Sequence, residues 1–408
     1  MKCRYCNNEL TKIFIDLGSS PPSNSNLTKK ELNEPETYFP LKIFLCDKCF
    51  LVQIDEYKKS DEIFNEKYAY FSSYSTSWLE HSKKYVEMIT KRLQLKENSF
   101  VVEIGSNDGY LLQYFKDLGI ICLGIEPTSN TAAAARKKGI EVIEEFFGVN
   151  LVKTLTLQTK KPDLLLGNNV LAHVPDINDF VEGLKIYLDE TGVITMEFPH
   201  LMQLVENIQF DTIYHEHFSY LSFLTVKSIF ESHGLELFDV DQISTHGGSL
   251  RIYAKHKEDH TKLISNNVRD LLNLEISKKM NTIEYYSNFQ TKANKIKYEL
   301  VDFLINQKRE QKKVIAYGAA AKGNTLLNYC GIKQDLIRFV VDISPHKQGK
   351  FLPGSHIPIV NEENIKKDRP DFIIILAWNI KDEIMNQLEY VNKWKCKFVI
   401  PIPKMEII

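Results

Sequence analysis

The sequence predicts an α/β protein in which a small amino-terminal metal-binding lobe precedes two domains built on parallel sheets. Three observations support this prediction, beginning with a length of 408 residues, which exceeds the roughly 100–200 of one ordinary domain. Two Cys-x-x-Cys pairs lie close to the amino terminus. Two later segments, near residues 99–199 and 314–400, alternate short apolar runs with amphipathic stretches, as parallel-sheet domains do. We place the three domains at residues 1–65, 66–245 and 246–408.

Composition and charge narrow the classes of protein to which the chain can belong. Hydrophobic residues make up 43% and charged residues 25%, which is the balance of a folded globular protein. The 51 Lys and Arg residues are offset by 53 Asp and Glu residues, so we expect no nucleic-acid partner. No apolar run approaches the roughly 18 residues of a membrane helix, and the first residues lack the apolar core of a secretion signal. Because seven cysteines also argue against a disulfide framework, we expect a cytoplasmic protein with no membrane partner.

Four of the cysteines form two knuckles, Cys3-x-x-Cys6 and Cys46-x-x-Cys49. Each pair can place two thiolates on one side of a tight turn, and two turns together provide the four sulfur ligands that Zn²⁺ prefers. One pair alone would also suit a redox dithiol, and the alternative for all four is a set of reduced surface thiols. We predict a structural zinc ion, because a metal with four protein ligands has no open position for chemistry.

The segment near residues 99–199 has the pattern of repeated strand–helix units. Strands are predicted at residues 100–104, 120–125, 141–144, 163–166 and 193–198, and helices at residues 110–118, 131–138 and 180–188. Such units imply a parallel sheet with helices on both faces, which is a Rossmann-like fold.

The first of these strands ends in the acidic, glycine-containing loop EIGSNDG. Glycine lets a ligand lie close against the backbone, and Glu126, 21 positions after Gly105, can hold both hydroxyls of a ribose. Acidic residues beside the turn would repel a pyrophosphate but suit a cation that carries an amino acid and adenosine. The loop is similar to the E-x-G-x-x-x-G loop of Rossmann-like methyltransferases that bind S-adenosylmethionine, and a bare structural turn is the alternative. The residues assigned to this cofactor are Glu103, Gly105, Asn107, Asp108, Gly109, Glu126, Asn168 and Asn169.

A stretch rich in titratable side chains, DTIYHEHFSY at residues 211–220, follows the last predicted strand. One interpretation is acid–base catalysis, since histidine exchanges protons near neutral pH. A second is a metal site, because His215 and His217 share one face of an extended segment and Glu216 could be a third ligand. A third is a polar surface loop. His173, just past the fourth predicted strand, lies at the edge of the same cleft and is either functional or structural.

The carboxyl-terminal part predicts a helical connector and then a second Rossmann-like sheet. The connector covers residues 257–313, and the strands are predicted at residues 314–317, 339–342, 372–376 and 397–400. The first strand leads into glycines and a lysine at the start of a helix, where backbone N–H groups and a positive side chain suit a phosphate. Asp342 either touches a ribose or closes a turn. The residues assigned to a phosphate-bearing substrate are Ser249, Arg251, Gly318, Lys322, Gly323 and Asn324.

Six motifs occur in one order along almost the whole chain: the double Cys-x-x-Cys, VVEIGSNDGYLL, GNNVLAHVPDINDF, FDTIYHEHFSYLS, THGGSLR and AYGAAAKGNTLLNY. Together they resemble the sugar 3-C-methyltransferase family, which acts on nucleotide-linked 4-keto deoxysugars. The YHEHFSYLS block is the most distinctive of them. The resemblance implies a zinc-binding lobe, a central S-adenosylmethionine-dependent methyltransferase domain and a carboxyl-terminal Rossmann-like domain.

The resemblance also implies a reaction, the methylation of C3 of a nucleoside-diphosphate 4-keto-6-deoxy sugar through an enolate. The family's favoured base is the last histidine of the Tyr-His-Glu-His block, which is His217 here. Tyr214 would donate its O–H to the enolate, and Glu216 would orient or polarise a neighbouring group. His173 would bind the substrate or hold the cleft, and Tyr68 lies where the family closes over its ligands. The nucleotide sugar would lie between the central and carboxyl-terminal lobes.

Other functions stay open at this point. An O- or N-methyltransferase acting on the same sugars would share the cofactor loop but would not need so elaborate a base site. A binding module whose zinc knuckle docks a partner is another class, although the net charge of -2 argues against nucleic acid as that partner. A dehydrogenase is disfavoured because no hydride-transfer constellation is apparent. We expect the protein to be a monomer.

Overall fold

Three sheets organise the part of the chain that the computed structural model describes, residues 1–64 and 71–408. The amino-terminal sheet has four strands, the central sheet seven and the carboxyl-terminal sheet six. None of the described helices combines the length and the apolar character needed to span a membrane.

The amino-terminal lobe is a small antiparallel sheet. Its own elements are β1 (Lys12–Ser20), β2 (Phe39–Leu45), β3 (Val52–Ile54) and the one-turn helix α1 (Ser60–Ile63). In β2 the buried residues Leu41, Ile43 and Leu45 alternate with more exposed ones, because successive side chains of a strand point to opposite faces. The lobe therefore has one apolar face to pack against the rest of the chain.

The central domain contains the predicted parallel sheet, extended by an antiparallel hairpin. Its elements are α2 (Thr76–Leu93), β4 (Phe100–Ile104), α3 (Leu112–Asp117), β5 (Ile121–Ile125), α4 (Ser129–Lys137), β6 (Glu141–Ile143), α5 (Val149–Gln158), β7 (Leu164–Asn168), α6 (Ile177–Tyr187), β8 (Val193–Pro199), α7 (Leu201–Glu206), β9 (Ser219–Tyr220), α8 (Phe223–Ser232), β10 (Leu235–Ile243) and β11 (Ser249–His256). The strand order is β10-β11-β8-β7-β4-β5-β6. Strands β4 and β7 are buried along their whole length, as expected of parallel strands covered on both faces.

Two features of this domain differ from the sequence-based expectation. The helices α2, α5, α7 and α8 and the hairpin of β10 and β11 were not predicted. Strand β11 lies on the carboxyl-terminal side of the boundary we placed at residue 246, yet it pairs with β8 and β10 inside the central sheet. The main-chain hydrogen bonds of this hairpin link residues on both sides of that boundary.

The carboxyl-terminal domain begins with helices and continues as a second sheet. Its elements are α9 (Asn266–Ser277), α10 (Ile283–Tyr286), α11 (Phe289–Arg309), β12 (Val314–Tyr317), α12 (Ala321–Cys330), β13 (Val340–Val341), β14 (Ile359–Val360), α13 (Glu363–Asp368), β15 (Phe372–Ile375), α14 (Lys381–Gln387), β16 (Lys397–Ile400) and β17 (Glu406–Ile407). The order is β14-β13-β12-β15-β16-β17, and the first five strands are parallel. The helical connector is present, but its first helix begins at Asn266 and not at residue 257.

The amino-terminal lobe packs against both other parts of the chain. Strand β9 of the central domain pairs with β3 and completes the amino-terminal sheet. On the apolar face, Phe14 stacks on Phe289 of α11 with ring centroids 4.6 Å apart. One hydrophobic core contains residues of β1, β2, α7, α11 and the carboxyl-terminal sheet. The histidine-rich stretch immediately before β9 therefore lies where all three parts meet.

Candidate active site

A cavity of about 530 Å³, called here the central cavity, lies where β4, β5, β7 and β8 end. Ligands bind at this edge of open parallel sheets. The histidine-rich stretch and the start of α12 form its other walls. The predicted site residues that line it are Gly105, Asn107, Glu126, Asn168, Asn169, His173, Tyr214, Glu216, His217 and Lys322.

The loop after β4 brings its backbone directly to the cavity wall. Gly105 has a φ of +66°, and a Cβ added there would lie 2.5 Å from Cγ2 of Val170, so only glycine fits. Asn107 is also left-handed, with a φ of 48°, and its backbone N–H donates to Oε2 of Glu126 at 2.9 Å. The second Glu126 oxygen accepts from the N–H of Thr128 at 2.9 Å. The loop and the ribose-binding candidate are thus fixed to each other.

The polar groups at the cavity fit a polar cofactor such as S-adenosylmethionine. Asn168 is buried at the end of β7, and both polar atoms of its side chain lack a hydrogen-bond partner among the described residues. The same holds for Oδ1 of the adjacent Asn169. Buried polar groups are nearly always paired, so these amides indicate the place of a ligand. Burial raises the pKa of Glu126, although Thr128 and Asn107 donate to it.

Three residues assigned to the cofactor lie behind the loop and do not line the central cavity. Burial raises the pKa of Glu103 well above its usual value. One carboxylate oxygen of Asp108 lies 3.6 Å from the ammonium of Lys138. A Cβ at Gly109 would lie 2.4 Å from Cδ1 of Ile140, so this glycine permits close packing of the loop against α4 and its following residues. These residues support the shape of the loop.

The histidine-rich stretch forms a turn, and our interpretation of it as an extended segment is wrong. The N–H of His217 donates to the carbonyl of Tyr214 at 3.0 Å, which places their rings 4.1 Å apart. His215 points elsewhere, with Nε2 3.3 Å from the carbonyl of Pro40. The two histidines therefore do not share a face, and the His-x-His metal site is not formed. Within the described ranges, the four amino-terminal cysteines are the group that meets the geometric requirements of a metal site.

His217 is held in a defined tautomer. Its Nδ1 lies 2.9 Å from the carbonyl oxygen of Thr212. A carbonyl oxygen can only accept, so Nδ1 carries the proton and Nε2 keeps its lone pair. Burial lowers the pKa of His217 well below its usual value, and His173, His246 and Lys322 lower it further. The imidazole is therefore neutral and able to accept a proton at Nε2.

Two further titratable groups share the cavity with His217. The ring of His173 lies 4.7 Å from the His217 ring, and burial lowers the pKa of His173 to about 4. Glu216 is buried, and burial raises its pKa to about 7. Both of its oxygens accept from Nδ2 of Asn24, at 2.8 and 2.9 Å. A carboxyl group that changes charge near neutral pH therefore lies in the wall of the cavity.

The start of α12 brings a lysine to the opposite wall. Lys322 donates to Oδ1 of Asn379 at 2.6 Å and lies 4.8 Å over the ring of Trp378. Burial lowers its pKa. Ala320, Ala321 and Lys347 line the cavity beside it. Backbone N–H groups at a helix start and two lysines form a cationic wall that suits a phosphate.

Other residues assigned to the substrate do not line the cavity. A Cβ at Gly318 would lie 3.2 Å from that of Ala377, and one at Gly323 would lie 2.9 Å from that of Leu376. Asn324 donates to the carbonyl of Ser23 at 2.7 Å. Two further residues assigned to the substrate also make protein contacts. The hydroxyl of Ser249 donates to the carbonyl of Thr245, and Arg251 donates to Glu197 at 2.7 Å. Tyr68 lies outside the described residues.

Asp342 closes a turn, which was one of its two predicted roles. Its Oδ2 accepts from the N–H of Ala319 at 2.8 Å, and its Oδ1 accepts from the N–H of Ser344 at 2.8 Å. It does not line the central cavity.

Several cavity residues were missed by the sequence analysis. His246 lies within the THGGSLR motif, and its left-handed φ of 54° beside two glycines marks an unusual turn. Its Nε2 lies 3.0 Å from Nδ2 of Asn169. Asn24 comes from a Pro/Ser/Asn-rich segment that carries no recognisable motif. The missed lining residues also include Trp78, Glu145, Phe146, Phe147 and Lys347.

The four cysteines form a separate site in the amino-terminal lobe. All four Sγ atoms lie within 4.8 Å of one another, and Cys3 to Cys49 and Cys6 to Cys46 are each 3.6 Å apart. A tetrahedron with zinc–sulfur bonds of about 2.3 Å has sulfur–sulfur edges of about 3.8 Å, so the arrangement fits Zn²⁺. Gln53 donates to the Cys3 sulfur at 3.2 Å. The hydrogen bond between the sulfurs of Cys3 and Cys49 lowers the pKa of the Cys3 thiol and raises that of Cys49, so one thiolate is favoured within this pair.

Comparisons with known proteins cover the whole chain. Three family models match successive parts: a zinc binding domain at residues 3–64, a methyltransferase domain at residues 78–240 and a C-methyltransferase C-terminal domain at residues 244–403. The curated C-methyltransferase NovU of Streptomyces niveus is 33% identical over 409 residues, covering 100% of this chain and 96% of NovU. The chain belongs to this C-methyltransferase family. It is an S-adenosylmethionine-dependent C-methyltransferase with a structural zinc ion, and the O- or N-methyltransferase, binding-module and dehydrogenase alternatives are set aside.

Solved structures of other methyltransferases are more distant from this C-methyltransferase. The methyltransferase in complex with the Trm112 activator of Haloferax volcanii is 14% identical with a TM-score of 0.37, and covers 44% of this chain and 94% of that one. Magnesium protoporphyrin IX methyltransferase of Synechocystis PCC 6803, with bound SAH, is 14% identical with a TM-score of 0.34, and covers 43% and 81%. The family assignment does not depend on them.

Proposed function

We propose that this C-methyltransferase methylates C3 of a nucleoside-diphosphate 4-keto-6-deoxy sugar, with His217 as the base that forms an enolate. The observation that carries the proposal is the neutral, buried imidazole with Nε2 available, in the same cavity as the cofactor loop. A C–H bond next to a ketone is acidic because the anion delocalises onto oxygen. A positioned base can therefore remove that proton.

Each step of the proposed reaction is assigned to a particular residue of the cavity. Nε2 of His217 takes the proton from C3. The electron pair of the broken C–H bond forms the C3–C4 double bond of the enolate, and the π pair of the C4 carbonyl moves onto the keto oxygen. Tyr214, whose ring lies beside that of His217, donates its O–H to this oxygen. The carboxylate of Glu216 offsets the positive charge of protonated His217 in the buried cavity. When bound, S-adenosylmethionine would supply the methyl group: C3 would form the new C–C bond as the bond from the methyl carbon to the sulfonium sulfur breaks, with S-adenosylhomocysteine as the leaving group.

The substrate's diphosphate is assigned to the wall formed by the start of α12. Lys322 and Lys347 line this wall together with Ala320 and Ala321. The positive end of a helix and ammonium groups both favour phosphate oxygens. In this proposal the sugar lies between the wall formed by the start of α12 and the histidine-rich stretch. Because residues of all three parts of one chain line the cavity, we propose that the protein acts as a monomer. We also propose that it acts in the cytoplasm, because its seven cysteines argue against a disulfide framework.

Isotope exchange at C3 tests the enolate. The protein would be incubated in D₂O with dTDP-, CDP- and GDP-linked 4-keto-6-deoxy sugars, without S-adenosylmethionine, and the C3 proton would be followed by NMR. Exchange at C3 is expected, and labelled S-adenosylmethionine should then place its methyl group on the same carbon. An enzyme that transfers methyl groups to the sugar but does not exchange C3 would contradict the proposed base.

A further inference from the structure

The connection between β1 and β2, residues 21–38, reaches from the zinc-binding lobe into the central cavity. Asn24 of this connection lines the cavity and donates to both carboxylate oxygens of Glu216, at 2.8 and 2.9 Å. We propose that Asn24 is a positioning residue for methyl transfer, which keeps the Glu216 carboxylate in place and ionised. This rests on the proposed function in one respect, namely that Glu216 serves the reaction.

The connection is fixed on both sides of Asn24 by the carboxyl-terminal domain. The carbonyl of the preceding residue, Ser23, accepts from the side chain of Asn324 at 2.7 Å. Beyond Asn24, Leu27 and Phe351 exchange backbone hydrogen bonds of 2.8 Å in both directions. Further along, Glu36 accepts from the N–H of Gly354 at 2.9 Å. Asn24 is therefore held in place before any ligand binds.

The same turn of α12 also holds the histidine turn. The hydroxyl of Thr325 donates to the carbonyl of Ile213 at 2.8 Å, one residue before Tyr214. Its neighbour Asn324 holds Ser23. One turn of α12 thus fixes the donor segment and the acceptor segment of the Asn24–Glu216 contact. Asn324 was assigned to the substrate, but it does not line the cavity, because its side chain holds the carbonyl of Ser23.

The ionisation of Glu216 depends on its hydrogen bonds from Asn24, because Glu216 is buried. Glu216 is 5% exposed, and burial opposes its ionised form. Asn24 and the charge of Lys58 favour that form. His173 and His217, which share the cavity wall, are kept neutral by burial and do not compensate the charge. Among the described residues, Asn24 is the hydrogen-bond donor to this carboxylate.

Two substitutions at Asn24 distinguish positioning from a structural role. Asn24→Ala removes the donor, so the acid limb of the turnover–pH profile should move up by about one unit and turnover should fall about 10- to 100-fold. Asn24→Asp keeps the size but puts a second carboxylate against Glu216; the like charge raises the pKa of the pair, so the acid limb should move to higher pH by more than in Asn24→Ala. Zinc content, thermal unfolding and binding of S-adenosylhomocysteine should match wild type. Asn33→Ala, an exposed asparagine on the same connection, is the matched control and should change none of these.

A double-mutant cycle and a substrate-free titration complete the test. The effects of Asn24→Ala and Glu216→Gln on turnover should be strongly non-additive, because one residue acts through the other. Infrared difference titration of wild type against Glu216→Gln reports the Glu216 carboxyl directly, and Asn24→Ala should shift it to higher pH. Additive effects, or an unshifted titration, would overturn the role of Asn24. Since the titration needs no substrate, a failure of the proposed sugar reaction would leave its result unchanged.

Discussion

The zinc site and the central cavity differ in how completely the chain pairs their polar atoms. The four sulfurs lie within 4.8 Å of one another, two of the pairs are 3.6 Å apart, close to the edge of a zinc tetrahedron, and Gln53 donates to one sulfur. In the cavity, by contrast, the amide of Asn168 and Nδ1 of His173 lack partners among the described residues. The first site uses up its valences and stabilises the lobe. The second leaves buried polar atoms unpaired that a ligand could pair, which supports a structural role for the first site and the catalytic role proposed for the second.

The largest expected effect comes from removing the base without disturbing the fold. His217→Asn should reduce turnover by about 10²–10⁴, the range typical of a lost general base, while binding of S-adenosylhomocysteine stays close to wild type. Steady-state kinetics and calorimetry would measure the two quantities.

His215→Asn is the matched control for His217→Asn, because it is two residues away and its ring faces Pro40, outside the cavity. It should retain most of the turnover. Equal losses in both variants would remove His217 from the role of base.

At the zinc site, a substitution should lower metal content and stability, whereas His217→Asn should lower turnover with the fold intact. Cys46→Ser should lower the metal content below one zinc per chain and reduce the free energy of unfolding by about 3 kcal/mol or more, since loss of a metal ligand is among the most damaging substitutions. Turnover should fall because less of the protein is folded, and the pH dependence of the remaining turnover should be that of wild type. Metal analysis and urea unfolding would test this, with Cys122→Ser as the control that keeps its zinc. A Cys46→Ser protein with full zinc content and stability would contradict the four-cysteine site.

Glu216 should make stability and activity depend on pH in opposite directions. Burial raises its pKa to about 7 from the usual 4.5, so the folded state binds this proton more tightly than the unfolded chain. Its stabilising contribution is therefore complete below about pH 4.5 and is lost as pH rises through about 7, amounting to about 3 kcal/mol at most. Turnover, which needs the carboxylate, should rise over the same range. Urea unfolding at about pH 5 and about pH 8 should show the difference in wild type, and Glu216→Gln should lack it.

The smallest effect is expected at the cofactor loop. Gly105→Ala would force a Cβ against Val170 at a φ of +66°, so affinity for S-adenosylhomocysteine should fall about tenfold or more. Gly331→Ala has a similar φ of +70° with no atom within 4 Å, so it carries the backbone strain without the clash. Calorimetry should show normal affinity for Gly331→Ala and a small loss of stability. Equal affinities in the two variants would argue that the loop does not contact the cofactor.

Much of the architecture could be predicted because it depends on local pattern. The predicted strand at residues 100–104 agrees with β4, and the predicted strands at residues 314–317 and 397–400 agree with β12 and β16. In each, a short run rich in β-branched and aromatic residues is followed directly by a glycine or a proline. Helix α5 was missed although it lies between two predicted strands. The resemblance supplied the roles of Tyr214, Glu216, His217 and His173, and the structure brings these side chains to one cavity.

The sequence by itself determined the zinc ligands, the glycine at which the cofactor loop must turn, and the positions of the parallel strands β4 to β8, β12, β13, β15 and β16. Each of these follows from residues that are neighbours along the chain, where spacing and periodicity already limit the geometry. Only the tertiary structure decided that Asn24, His246 and Lys347 face one cavity, that His215 turns away from it, and that Arg251 pairs with Glu197. Those outcomes depend on packing between segments far apart in the chain, for which the local pattern holds no distance information.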